Sequence, residues 1–295
     1  MLRWRLLLGT LIIAMLIGLC WLDHAAATAG VWLLPVAILF TLAATGEILH
    51  LAAPGGSRPL AWPVYLGNLL LIAANWVPSV CCDDPTRATT LPPIAWPLLA
   101  LFAGFLLVLV GEMCRYEKPG GVTANVAASV LALVYVGLLL GLVVQLRMGF
   151  GVAAVASLII VVKLGDTGAY TVGRLIGRHK MAPRLSPGKT IEGAAGAVVF
   201  ACLGSCATFY WLVPAMSGDK AASAAPWWGW ILFGLLVATA GILGDLAESL
   251  IKRDAGCKDS STWLPGFGGV LDILDSILLA APVAWICWAT GLVGR

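Results

Sequence analysis

Charge is scarce in this chain: 11% of its 295 residues are Asp, Glu, Lys or Arg, against 60% that are hydrophobic. A soluble domain of this size needs more charge to cover its surface, so a soluble globular fold is excluded. Histidine is nearly missing as well. His24, His50 and His179 are scattered and support no histidine-based site. The eight cysteines show no metal-binding spacing. Cys20, Cys114, Cys202, Cys206 and Cys287 fall in or beside apolar runs and read as small apolar residues. The adjacent Cys81 and Cys82 are the one pair open to oxidation, with a partner in an oxidising compartment. No internal repeat is visible. The apolar runs lack the every-second-residue alternation of barrel strands, which excludes a membrane β-barrel.

What is present is a series of continuously apolar, Leu/Ala/Val-rich blocks of about twenty residues, the length that crosses a roughly 30 Å hydrocarbon core as helix. The fold class expected is all-α, a polytopic integral membrane protein. Nine spans are predicted, at 5–22, 31–53, 61–80, 94–113, 123–146, 150–172, 192–215, 228–250 and 269–292. With the N-terminus on the cytoplasmic side, 13 of the 18 Lys and Arg residues fall inside and four outside, namely Arg87, Arg147, Lys220 and Arg295; Lys163 is left within a span. That bias predicts a multi-pass protein of the cell membrane with a cytoplasmic N-terminus. The first span also fits a cleaved signal peptide, with a basic start, an apolar run and the small stretch Ala25 to Ala29. Its retention is the expectation, since a multispanning protein can insert through its own first helix.

Residues 1–150 carry little chemistry and are expected to form a transmembrane scaffold packed through small residues. Their turns include Ala53-Pro54-Gly55-Gly56 and Asp83-Asp84-Pro85-Thr86. Glu47 and Glu112 stand out there, each near the cytoplasmic end of its span, where an acid either serves a site or reaches water. Residues 151–295 are expected to form the catalytic region of one continuous membrane domain. Eight of the 15 acids, Asp166, Glu192, Asp245, Glu248, Asp254, Asp259, Asp272 and Asp275, fall at or near the cytoplasmic side of its spans.

Three constellations follow. In GDLAESLIKR, Asp245, Glu248 and Lys252 share a helical face, which reads as an ion-pair ladder or, with Ser249, as a hard-oxygen cluster of the kind that holds Mg²⁺. In GGVLDILDS, Asp272 and Asp275 are three apart at the start of a helix, where the dipole favours anions. Capping accounts for one of them more easily than for two, and Gly268-Gly269 allows close approach of a ligand to the backbone. The third runs from Lys163 and Asp166 through a basic segment to Ser186-Pro187-Gly188-Lys189-Thr190. That last run suggests phosphate binding, although Pro183 stands where a Walker A loop needs glycine and no strand is predicted before it. Acids able to hold divalent ions and bases able to hold phosphates point to a metal-dependent enzyme acting on a phosphate within the membrane.

These residues resemble the phosphatidate cytidylyltransferases, or CDP-diacylglycerol synthases. The family's C-terminal signature is matched by Ser249, Lys252-Arg253, Lys258-Asp259, Pro265-Gly266, Gly268-Gly269, Asp272 and Asp275 at unchanged spacing. Upstream, DTGAY, GR, HK, AP and SPGKT with its following EG also look like the family's, so the specific similarity covers Gly165 to Ser276. Two positions depart: the signature histidine is Phe267, and the arginine after the first aspartate is Ile273. The attacking phosphate is already an anion, its second pKa lying near about 6, so a histidine base is dispensable.

The resemblance implies transfer of the cytidylyl group of CTP to phosphatidate, with CDP-diacylglycerol and pyrophosphate as products. It implies Asp245 and Asp272 as the metal-holding catalytic acids, with Asp275, Asp259 and Glu248 as further ligands or supports. Lys189, placed with the catalytic residues, and Ser186, Lys252, Arg253, Lys258, Gly268 and Gly269 would bind the substrates. Mg²⁺, a second monovalent ion such as K⁺, surrounding membrane lipids and a homodimer complete the expectation; nucleic acid has no place in it. Two other readings stay open. One is a cation- or proton-coupled transporter, against which the one-sided acids and unlike halves speak. The other is a catalytically impaired family member, motivated by Phe267 and Ile273.

Overall fold

The computed structural model describes residues 2–26, 28–78, 91–217, 226–261, 263 and 268–294. Cys81, Cys82, the Asp83 to Thr86 turn, Arg87, Lys220, Pro265, Gly266, Phe267 and Arg295 lie outside the described residues. Helices stand at every predicted span: α1 (Leu2–Ala25), α2 (Leu34–Ala52), α3 (Ala61–Ala73), α4 (Ala95–Arg115), α5 (Val122–Phe150), α6 (Val152–Ile176), α7 (Ile191–Met216), α8 (Trp227–Asp254) and α9 (Val270–Ala289). The chain is an all-α polytopic membrane protein. Among the described residues seven of these helices, α2 and α4 to α9, are long and apolar enough to cross a membrane, where nine spans were expected. The other two are α1, apolar over Ala14–Ala25, and α3, which tightens after 13 residues into a 3₁₀ turn at Ala74–Trp76.

The sole sheet among the described residues is a hairpin, β1 (Lys180–Ala182) and β2 (Ser186–Thr190), paired antiparallel with Lys180 opposite Thr190 and Ala182 opposite Ser186. A strand therefore does precede the SPGKT run, contrary to the sequence reading. Three residues with no apolar alternation give no strand signal.

The chain forms two compact units: Met1–Met148 with Asp254–Ile273, and Gly149–Arg253 with Leu274–Arg295. In the first, α3 and α4 meet backbone to backbone. A Cβ on Gly67 would sit 3.1 Å from the Gly104 Cα and run into Leu133, so only small residues permit the crossing. Beside it α5 contains a π turn at Leu133–Leu138. Asn68 of α3, fully buried, donates to Thr45 Oγ1 at 2.7 Å and to the Ala132 carbonyl at 3.4 Å, next to that turn. Asp23, also fully buried, accepts from the Gly30 and Trp32 amides and pairs with Arg147. A buried carboxylate is tolerable only with such partners. Arg147, counted among the outer bases, is therefore a structural partner of the α1–α2 connection.

In the second unit, glycines set the α6–α7 contact. A Cβ on Gly168 would lie 2.6 Å from both the Gly196 carbonyl and the Phe200 Cβ, and one on Gly193 would lie 2.9 Å from the Ala169 carbonyl. Phe209 meets Phe233 edge-on at 5.1 Å between centroids and also contacts Trp230 and Trp288. The Trp288 indole N–H donates to Ser157 Oγ at 3.2 Å, so the ring's polar edge is satisfied within the core.

Candidate active site

The two units each carry part of the predicted constellation. In the first, the chain leaves α8, exposes Lys258 and Asp259, buries Ser260 and enters α9 at Val270. Asp272 lies in the first turn of α9. Its Oδ2 accepts the Ser260 amide at 2.9 Å and the Gly269 amide at 2.8 Å, with Ser260 Oγ 2.7 Å away. The bond to Gly269 is the capping that the sequence reading held open for one aspartate. The two contacts to Ser260 go beyond capping and tie the acid to the preceding loop.

Gly268 has φ +87°, in the left-handed region that side chains avoid, and a Cβ there would strike the Asp272 carboxylate. A Cβ on Gly269 would strike Ser260 Oγ and the Glu47 carboxylate. The two glycines thus let the protein's own carboxylates close on the backbone. Glu47, on α2, accepts four bonds: Oε1 from Ser261 Oγ at 3.0 Å and the Val270 amide at 2.9 Å, Oε2 from Ser260 Oγ at 2.8 Å and the Leu271 amide at 2.8 Å. Glu112, the other acid singled out in that half, instead accepts from Asn125 Nδ2 at 3.2 Å and lies 3.9 Å from Arg115.

In the second unit, Lys189 on β2 reaches Asp245 of α8, Nζ to Oδ2 2.7 Å. The hairpin that carries Lys189 is held at both ends. Thr190 caps α7 by accepting the Gly193 amide at 3.1 Å, and Glu192 accepts the Arg178 amide at 3.1 Å and contacts His179 Nδ1 at 2.6 Å. Ser186 is half-buried at the start of β2. Arg253 Nε donates to the Leu185 carbonyl at 3.1 Å, fixing the end of α8 against the hairpin turn. Glu248, fully buried, pairs with Lys252 at 2.6 Å one helical turn on, so two members of the ion-pair ladder meet while the third, Asp245, turns to Lys189. Asp275 sits where α8 and α9 press together: a Cβ on Gly244 would strike the Asp275 carbonyl. Its carboxylate lies within electrostatic reach of Asp245, Lys163 and Asp166, the last two themselves paired at 3.1 Å.

Among the described residues no three acid, His or Cys side chains gather into a ready-made metal cage. Mg²⁺ does not require one, since it is usually held by one or two carboxylates together with substrate phosphates. Asp245 and Asp275 are hard-oxygen donors of the second unit, and Asp245 already holds a cationic group, the Lys189 ammonium, at 2.7 Å. The donor set therefore fits a divalent ion. Sequence reasoning passed over Ser260 and Ser261 because they carry no charge; the signal was their place directly after Lys258-Asp259.

Residues 3–290 match the model of the cytidylyltransferase family. The chain is 32% identical over 297 residues to a phosphatidate cytidylyltransferase of Mycobacterium bovis, covering 96% of this chain and 88% of that protein. It is 35% identical over 197 residues to a phosphatidate cytidylyltransferase of Bacillus subtilis, covering 65% of this chain and 67% of that one. A phosphatidate cytidylyltransferase of Mycobacterium leprae is 44% identical over 135 residues, 46% of this chain and 40% of the relative.

Proposed function

The chain belongs to the cytidylyltransferase family, and from that premise we propose that it transfers the cytidylyl group of CTP to phosphatidate, giving CDP-diacylglycerol and pyrophosphate. The observation that carries this reading is coverage: one family model spans residues 3–290, so both compact units belong to the matched region.

The proposed roles divide between the units. In the first, Asp272 is a metal-holding acid, Asp259 supports it, Lys258 meets phosphate, and Gly268-Gly269 set the backbone path. In the second, Asp245 is a metal-holding acid with Asp275 and Glu248 as supports. Lys189, Lys252, Arg253 and Ser186 are the phosphate-side residues. Lys189 is supported by its pairing with Asp245 at 2.7 Å, which holds its ammonium beside a proposed metal-holding acid. Transfer of this kind calls on a divalent metal, for which we propose Mg²⁺, with K⁺ as a monovalent companion. When bound, the divalent ion neutralises phosphate oxygens and the departing pyrophosphate.

A phosphatidate oxygen attacks the α-phosphorus of CTP. The new P–O bond forms as the bond to the bridging oxygen of the β-phosphate breaks, and pyrophosphate leaves with that electron pair. The attacking phosphate is anionic near neutral pH, so no side chain has to remove a proton from it. The chain's task is to hold two anionic substrates in line, through its lysines and arginine. The positive-inside bias supports a cell-membrane protein with its N-terminus and active site on the cytoplasmic side, and the family resemblance supports a homodimer.

The test is reconstitution in liposomes with labelled CTP, phosphatidate and Mg²⁺. CDP-lipid formation is the expected result. Ion flux without any CDP-lipid would replace this reading with a transporter.

A further inference from the structure

Glu47 lies far in sequence from every residue given a role above, yet it is built into the loop that carries one of them. It is 8% exposed on α2, and a carboxylate at that depth costs several kcal/mol unless its oxygens are satisfied. Here each oxygen accepts two donors at 2.8 to 3.0 Å, one serine hydroxyl and one backbone amide. The two amides, of Val270 and Leu271, are in the first turn of α9 and have no partner within the helix. An ionised glutamate there also sits at the positive end of the helix dipole.

Capping alone would make Glu47 a stability device. What links it to the site is Ser260, whose single hydroxyl proton lies between two carboxylates, 2.8 Å from Glu47 Oε2 and 2.7 Å from Asp272 Oδ2. The Ser260 amide holds the same Asp272 oxygen at 2.9 Å, so Ser260 determines where that carboxylate stands and Glu47 determines where Ser260 stands. A side chain at position 269 would strike both Ser260 Oγ and Glu47, so the backbone there runs close against the network.

We propose that Glu47 is a positioning residue for Asp272, acting through Ser260 and the first turn of α9; its bearing on turnover rests on the functional reading above. The chemistry explains why glutamate is needed. Glutamine has the same shape, but its NH₂ cannot accept, so two of the four donors would face another donor. Aspartate keeps the charge and falls one methylene short.

The test uses the full-length detergent-solubilised protein with two readouts besides turnover: Mn²⁺ binding followed by its EPR signal, and amide hydrogen exchange over 260–272. Glu47→Gln is expected to speed exchange in that segment by about tenfold or more, as loss of a bond to a charged acceptor implies. It is also expected to weaken Mn²⁺ binding roughly 10- to 100-fold, the usual cost of removing a metal ligand's support. Ser260→Ala keeps the Val270 and Leu271 amides on Glu47, so exchange there stays unchanged while Mn²⁺ binding still weakens; Glu47→Asp carries the test if Glu47→Gln does not fold. Glu47→Asp is expected to fall between wild type and Glu47→Gln. A merely structural glutamate would lower the unfolding midpoint and leave Mn²⁺ affinity of the folded protein unchanged, and that result overturns the proposal. A wild type that made no CDP-lipid would overturn the functional reading alone, because the exchange arm still reports whether Glu47 holds the loop.

Discussion

Asp272 is held by the Ser260 and Gly269 amides, whereas Asp245 meets a lysine on a separate hairpin. The first acid is fixed by the backbone and the second by a side-chain ion pair, so their substitution has different consequences. Asp272→Asn keeps the size of the side chain and removes its charge. It is expected to reduce CDP-lipid formation by roughly 100-fold or more, since even the supports of metal ligands are worth 10- to 100-fold, while expression and the unfolding midpoint stay near wild type. Persistent activity in this variant would remove Asp272 from the metal assignment. Lys189→Gln is expected to lower kcat/KM for CTP roughly 10- to 100-fold, the value of a charge-assisted bond, as read from initial rates across CTP concentrations. With Phe267 and Ile273 in place the wild type is expected to be competent. Restoring the signature with Phe267→His and Ile273→Arg should change turnover by less than about tenfold, whereas a missing general base would show as a rise of about 100-fold or more.

At the scale of elements, the helices were legible and their joints were not. Twenty-residue apolar blocks announce spans because each must satisfy its own backbone within hydrocarbon. The β1–β2 hairpin escaped notice because it is short, basic and interrupted by proline, and it is held by Thr190, Glu192 and Arg253 rather than by an apolar face. The helix crossings are set by glycines whose partners are far along the chain, which no local pattern reveals. Gly168→Ala would press a methyl against the Gly196 carbonyl and Phe200, at a cost of about 1–3 kcal/mol, read as a lower unfolding midpoint. The same substitution at Gly188, with open space around it, is expected to leave the midpoint unchanged. Arg147→Met would strand the buried Asp23 carboxylate at a cost of about 3–5 kcal/mol by the same measurement.

For the whole molecule, the boundary between a quiet half and a chemical half was the natural reading of where the charges fall. The compact units cut differently, because the charged segment Asp254–Ile273 belongs with the N-terminal helices. Glu47 is the reason that can be named: its partners Ser260, Ser261, Val270 and Leu271 are more than two hundred residues away in sequence. The charge pattern marks the acids and bases but not that a glutamate of the apolar half holds Ser260, Ser261 and the first amides of α9. Serines 260 and 261 carry no charge and are silent in the sequence for the same reason, their hydroxyls donating hydrogen bonds to carboxylates supplied from elsewhere. The central claim is cytidylyl transfer, and the position of the label in CTP tests it most directly. With phosphatidate and Mg²⁺, the purified protein is predicted to move label from the α-phosphorus of CTP into the lipid while label from the γ-phosphorus appears in pyrophosphate. Label from the γ-phosphorus in the lipid, or no labelled lipid from either, would contradict it.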